Sequence, residues 1–231
     1  MENKLKDAIY GLAIGDALGV PFEFKERGTY HCSDMIGNGT HNQPIGTWSD
    51  DTSMTIATCS SIKKTGFVNC NDIRKQFEKW LFNVKYTPFG KVFDCGFTCS
   101  EAIYNKEGFN DIMSNGNGSL MRILPVSLYL HYLKIDYKDP KYLDIIRTIS
   151  GMTHAHIYSV FACYMYSIYI SEIIEYKDKK IAYDNLQTIV KGIIETHSEF
   201  NEVKNVYSRM IYQDVSKLRR EEIKSSGYVV D

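Results

Sequence analysis

Residues 156–174, HIYSVFACYMYSIYISEII, put apolar or small side chains on nearly every face of a helix. Such a helix in a globular chain has to be enclosed by others, so the stretch from Ala155 to Glu175 is expected to be the hub of a core. Helical periodicity also covers Lys4 to Gly19, Thr52 to Lys64, Asn71 to Asn83 and Thr98 to Asn105. After Ser119 an apolar series runs from Leu120 to Leu130, with Pro125 marking a kink or a helix start. Ile181 to Glu195, Glu202 to Tyr212 and Val215 to Lys224 are more polar and read as outer amphipathic helices. No strand is required, though Val68 and Tyr228-Val229-Val230 read either way. The fold class expected is all-α, a compact multi-helix bundle. With 44% hydrophobic residues and no linker or repeat, residues 1–231 are expected to form one domain.

Charge narrows the partners. Twenty-seven Lys+Arg against 28 Asp+Glu give a formal charge of -1, which supplies no field for nucleic acid or an anionic membrane. The first residues lack the basic-then-apolar order of a signal peptide, and no apolar stretch was expected to reach the roughly 20 residues that span a bilayer. The expectation is a soluble, cytoplasmic protein. Its six cysteines are scattered, which suits reduced thiols, and Cys95 with Cys99 lacks the further ligands of a zinc site. Gly11, Gly15 and Gly19 share a stripe of the first helix, where another backbone could approach closely.

Five constellations carry chemistry. Asp16 sits inside an apolar helix, where it needs partners and reads best as a structural brace, and Glu23 follows Pro21 in a loop. Gly46-Thr-Trp-Ser-Asp-Asp-Thr offers Ser49 or Asp50 as a helix cap and a hydroxyl with two carboxylates as hard oxygen ligands. With no His or Cys nearby in the chain, magnesium is favoured over zinc, and manganese or calcium stays open. Asp94 before Gly96 reads by itself as a helix cap. Ser114-Asn-Gly-Asn-Gly-Ser-Leu-Met-Arg is a turn whose amides could hold phosphate, with Arg122 adding charge. Thr153-His154-Ala-His156 precedes the hub helix, where both histidines could equally be satisfied core or capping groups.

In this order, Gly15-Asp-Ala-Leu-Gly-x-Pro-x-Glu23, Trp48-Ser-Asp-Asp-Thr52, Asp94-x-Gly96, Asn117-Gly-Ser-Leu-Met-Arg122-x-x-Pro125 and Thr153-His154 resemble the motifs of the ADP-ribosylglycohydrolases, the dinitrogenase reductase-activating type included. The likeness spans Leu5 to His156. It implies an all-α enzyme with a metal-lined cleft that removes ADP-ribose from a modified protein or a related ADP-ribosyl substrate. By position, Ser49, Asp50 and Asp51 would be metal ligands for Mg2+ or Mn2+. Glu23 and Asp94 would be the catalytic carboxylates, and Asn117, Gly118, Ser119, Met121 and His154 would line the ADP-ribose.

The family's second Asp-x-Asp-Thr-type motif does not occur before Asp231, so the chain reads as C-terminally truncated relative to the family. Uncovered apolar surface is then expected, favouring self-association or a complementing C-terminal fragment. Two alternatives stand beside the hydrolase: a member that binds ADP-ribose or a nucleotide without cleaving it, and a helical interaction protein.

Overall fold

The computed structural model describes residues 2–223 and Val229. Among them there is no strand, only the isolated bridges Asn38 to Gln43 and Phe109 to His154, and the chain is all-α as expected. The backbone gathers into two compact units, Met1–Asn105 and Lys106–Asp231.

The first unit contains α1 (Glu2–Gly19), α2 (Asp50–Thr65), α3 (Cys70–Asn83) and α4 (Phe97–Asn105). Helix α2 packs on both α1 and α3, and α3 packs on α4. Start signals are local: Ser49 caps α2, and Asn69 caps α3 by accepting from Asp72 N–H at 3.0 Å. Gly66, at φ 79, ends α2 in the left-handed region that favours glycine. Met54, Ala57, Ile73, Phe77 and Trp80 fill the interior. Among the described residues the expected close approach along the glycine stripe does not occur, because a methyl group on Gly11, Gly15 or Gly19 would meet none of their atoms within 4 Å.

Asp16 ties α1 to α2. Its carboxylate accepts from Ser49 N–H (3.0 Å), Thr52 N–H (3.1 Å) and the Thr52 hydroxyl (2.6 Å). Amides at a helix start have no partner within the helix, so this carboxylate completes α2 from outside. The brace reading of Asp16 describes the geometry.

The second unit is organised around α7 (Ile157–Tyr176), which α5 (Leu124–Tyr132), α6 (Pro140–Ser150), α8 (Lys179–Thr196) and α9 (Val203–Val206) all contact. Val160, Phe161, Cys163, Tyr164 and Ile168 are buried, and Phe161 meets the Phe200 ring at 4.9 Å. By length and a mean hydropathy of 1.4, α7 is apolar enough to cross a membrane, which the sequence reading did not count. Its buried contacts are those of a core helix. Polar groups on it are satisfied internally, with Ser167 bonded to Ser127 at 2.7 Å and Ser159 to Asn115 at 2.8 Å.

Pro125 lies in the first turn of α5 and so marks a start. Helix α6 was not anticipated, although Asp139 caps it and Pro140 begins it. The helix expected from 202 to 212 breaks at Tyr207 into α9 and α10 (Ser208–Tyr212). The one expected from 215 to 224 is replaced by the 3-10 turns Val215–Lys217 and Arg220–Glu222, with residue 224 outside the described residues. Val68 lies in a loop, and Tyr228 and Val230 also fall outside the described residues.

Asp16→Ala leaves two buried donors, Ser49 N–H and Thr52 N–H, without their acceptor. At roughly 1–3 kcal/mol per orphaned group, urea denaturation is expected to show a loss of about 2–6 kcal/mol, and less in Asp16→Asn, which keeps one oxygen.

Candidate functional site

Chain direction after α1 is set by a 3-10 turn, Val20–Phe22, with Pro21 near its start. Glu23 follows. A loop then folds back over it: Asn38 N–H donates to Gln43 O at 2.6 Å, Thr40 N–H to Pro21 O at 3.3 Å, and the Thr40 hydroxyl to Glu23 O at 2.5 Å. Gly39 is required here, since it has φ 64 and a Cβ on it would lie 2.2 Å from Pro21 O. This loop delivers His41, whose Nε2 is 2.6 Å from Glu23 Oε2 and 3.7 Å from Asp94 Oδ1.

Asp94 adopts φ 56, a left-handed conformation uncommon outside glycine that aspartate and asparagine tolerate best. It stands three residues before α4, and no capping bond joins its carboxylate to that helix. The cap reading of Asp94 gives way to a carboxylate grouped with Glu23 and His41, one ligand atom of each within 4.8 Å of the others. Asp50 and Asp51 occupy the first turn of α2, and the Ser49 hydroxyl accepts from Asp51 N–H at 3.4 Å.

The structure therefore gathers Asp16, Glu23, Asp50, Asp51 and Asp94. Among the described residues no Lys or Arg forms an ion pair with any of them, and the carboxylates of Asp50 and Asp51 accept no hydrogen bond. Burial, then the adjoining carboxylate of Asp94, then Asp51 and Asp16, push Glu23 up to about 8. Burial, then Asp16 and Asp94, push Asp51 up to about 7. Asp50, only 7% exposed, is raised well above the usual carboxylate range by burial first and then by Asp51, Asp94, Asp16 and Glu23. The α2 N-terminus favours negative charge by about 0.3–1 kcal/mol per group. Two charges about 4 Å apart repel by about 4 kcal/mol at an effective dielectric constant near 20, so repulsion dominates.

The remaining expected site residues are in the second unit. Asn117 is exposed, Met121 is half-buried and Gly118 is buried. Ser119 is fully buried, accepting from the Ser150 hydroxyl at 3.0 Å and facing Cys163 Sγ at 3.4 Å. His154 is 2% exposed, with Nδ1 2.8 Å from Thr153 Oγ1, and burial followed by the Arg122 charge lowers its pKa to about 4. His156 caps α7, accepting from Tyr158 N–H at 3.3 Å. Arg122 corrects an expectation: it is fully buried and donates to Ile149 O and the Thr153 hydroxyl at 3.2 and 2.8 Å, so it braces the turn from within the core instead of presenting charge to a phosphate.

His41 was missed in the sequence. Its only local signal was the Asn38-Gly39 turn with Asn42, residues suited to the left-handed conformations that fold the loop back.

A sequence model described as ADP-ribosylglycohydrolase matches residues 1–231. The chain belongs to the ADP-ribosylglycohydrolase family. It is 28% identical over 239 residues to "ADP-ribosylarginine hydrolase Tri1" of Serratia proteamaculans (strain 568), covering 99% of this chain and 60% of that protein. It is 35% identical over 132 residues to "ADP-ribosyl-[dinitrogen reductase] glycohydrolase" of Rhodospirillum rubrum, covering 52% of this chain and 42% of that protein. A solved structure titled "ADP-ribosylglycohydrolase-related protein complex" shares the fold, with a TM-score of 0.69 at 23% identity over 96% of this chain and 70% of that one. The chain spans about 60% of the length of the Serratia relative.

The acidic cluster has a stability signature. Glu23 and Asp51 bind protons more tightly folded than unfolded, so their contribution is fully present below pH 4 and is lost as pH rises through about 7 to 8. In EDTA, wild-type unfolding free energy is expected to fall between pH 5 and pH 8 relative to Glu23→Gln, whose urea curves should show a flatter pH dependence.

Proposed function

We propose that this chain carries the acid–base and metal-binding part of a hydrolase that releases ADP-ribose from a modified side chain, with arginine the linkage suggested by the name of the Serratia relative. One observation carries the reading: Glu23 and Asp94 bring ligand oxygens within 4.8 Å of each other, and their charges reach the buried Asp50, with no Lys or Arg among the described residues paired to them.

Five mutually repelling carboxylates fit a divalent cation. In this reading Asp50, Asp51 and the Ser49 hydroxyl hold Mg2+ or Mn2+, with hard oxygen ligands suited to either. When bound, the cation supplies orientation of the ribose hydroxyls and assists ionisation of water. Cleavage at the anomeric carbon builds oxocarbenium character, and a carboxylate must take a proton from the attacking water. Glu23 and Asp94 bring ligand oxygens within 4.8 Å of each other, so in this reading they work from one side of the scissile bond. Burial and the neighbouring acids push Glu23 up to about 8, where a group can both accept and return a proton. The Asn117–Met121 turn, with Gly118 and Ser119, and His154 take part in holding ADP-ribose, through the exposed Asn117 and backbone amides over a buried base.

The second reading is binding of ADP-ribose without cleavage. The two part cleanly in one assay. The hydrolase reading expects divalent-dependent release of ADP-ribose from ADP-ribosylarginine, reduced at least about 100-fold in Asp50→Ala, as for loss of a metal or an electrostatic group at a reacting centre. A thermal shift with ADP-ribose and no product supports the binding reading, and neither response leaves only a helical interaction protein.

A further inference from the structure

Magnesium is the sequence-based choice because no histidine or cysteine adjoins Ser49, Asp50 and Asp51 in the chain. The fold removes that premise. His41, 18 residues from Glu23, brings a ring nitrogen to the carboxylates, and one ligand atom each from Glu23, His41 and Asp94 lies within 4.8 Å of the other two. The imidazole is 15% exposed at its side chain and is held between the Phe93 ring at 5.3 Å and the Phe24 ring at 5.8 Å. Two ligands at right angles on an ion, each about 2.1 Å away, stand about 3 Å apart. The observed 2.6 Å and 3.7 Å separations bracket that value, so small side-chain rotations would bring all three onto one ion.

A second observation points into the same place. The Asp50 carboxylate is 7% exposed, accepts no hydrogen bond, has no cation partner among the described residues, and feels the charges of Asp94 and Glu23. A buried charge in that position needs compensation that the described protein groups do not supply.

We propose that Glu23, His41 and Asp94, with Asp50 beside them, form a mixed nitrogen and oxygen metal centre that takes first-row transition ions in preference to Mg2+. Mg2+ is bound through oxygens and gives up its waters reluctantly, whereas an imidazole nitrogen suits transition ions, whose affinities rise along the series from Mn2+ towards Zn2+. Each carboxylate has two oxygens, so ligation through one leaves the other for proton transfer. The inference deepens the metal-dependent reading above and rests on it only for the link to turnover.

Calorimetric titration of the EDTA-stripped full chain tests the ion order, and pulsed electron paramagnetic resonance of the Mn2+-loaded chain tests for nitrogen. Affinity is expected to rise from Mg2+ through Mn2+ to Zn2+, with Mn2+ at least about tenfold tighter than Mg2+. The Mn2+ spectrum should show 14N modulation. His41→Gln should abolish that modulation and weaken Mn2+ at least about tenfold, with a smaller change for Mg2+, and its melting temperature in EDTA checks that it folds. If the variant does not fold, the wild-type nitrogen signal decides. Equal Mg2+ and Mn2+ affinities, an Mn2+ spectrum without 14N modulation, or no divalent binding overturns the proposal and leaves His41 as a hydrogen-bond partner of Glu23. A nitrogen-ligated ion without ADP-ribose release overturns the hydrolase reading and leaves the centre standing.

Discussion

The acidic site of the first unit depends on one half-buried carboxylate that is itself spoken for. Asp16 accepts from Ser49 N–H, Thr52 N–H and the Thr52 hydroxyl, which docks the end of α1 against the first turn of α2. That contact decides where Asp50 and Asp51 stand, because both are in the turn it completes. It also sets the departure point of the chain through Pro21 to Glu23. A ligand role for Asp16 would compete with these bonds, which is why its neighbours are the better candidates for an ion.

The remaining carboxylates are held together against their own repulsion. The helix terminus offers partial positive charge, but by magnitude it offsets only a fraction of the cost of five close acids. Protonation absorbs the rest in the metal-free chain, as the upward shifts of Glu23, Asp50 and Asp51 record. Backbone strain adds to the picture: Phe24 and Asp94, flanking the site, both take positive φ, and Phe24 is 80% exposed. Conformations of this kind persist only where surrounding contacts over-determine them.

Much of this was legible in the sequence wherever the signal was local. The hub helix, the Ser49 cap and Pro125 as a helix start follow from side-chain chemistry within a few residues. The motif order also announced the family, which the whole-chain match bears out. What could not be read was proximity created by folding. His41 reaches Glu23 through a loop whose path is set by turn conformations at Asn38, Gly39 and Asn42. Arg122 looked like a phosphate ligand because arginine is seldom buried, yet hydrogen bonds to Ile149 O and Thr153 secure it in the core. Helix α6 was overlooked despite an Asp-Pro start. The segment from 215 to 223 has helical texture but no buried side chain among its described residues to hold it, and propensity alone does not sustain a short helix.

Helix α1 has an unusual composition for an element that anchors so much. Three glycines in one turn-spaced row each weaken a helix by about 1 kcal/mol against alanine, and no tertiary neighbour among the described residues takes up the room they leave. Its order therefore draws on packing against α2 and on the bonds that Asp16 makes there. The same vacancy makes the row receptive: alanines there would stiffen the helix that leads into the acidic site without a clash among the described residues.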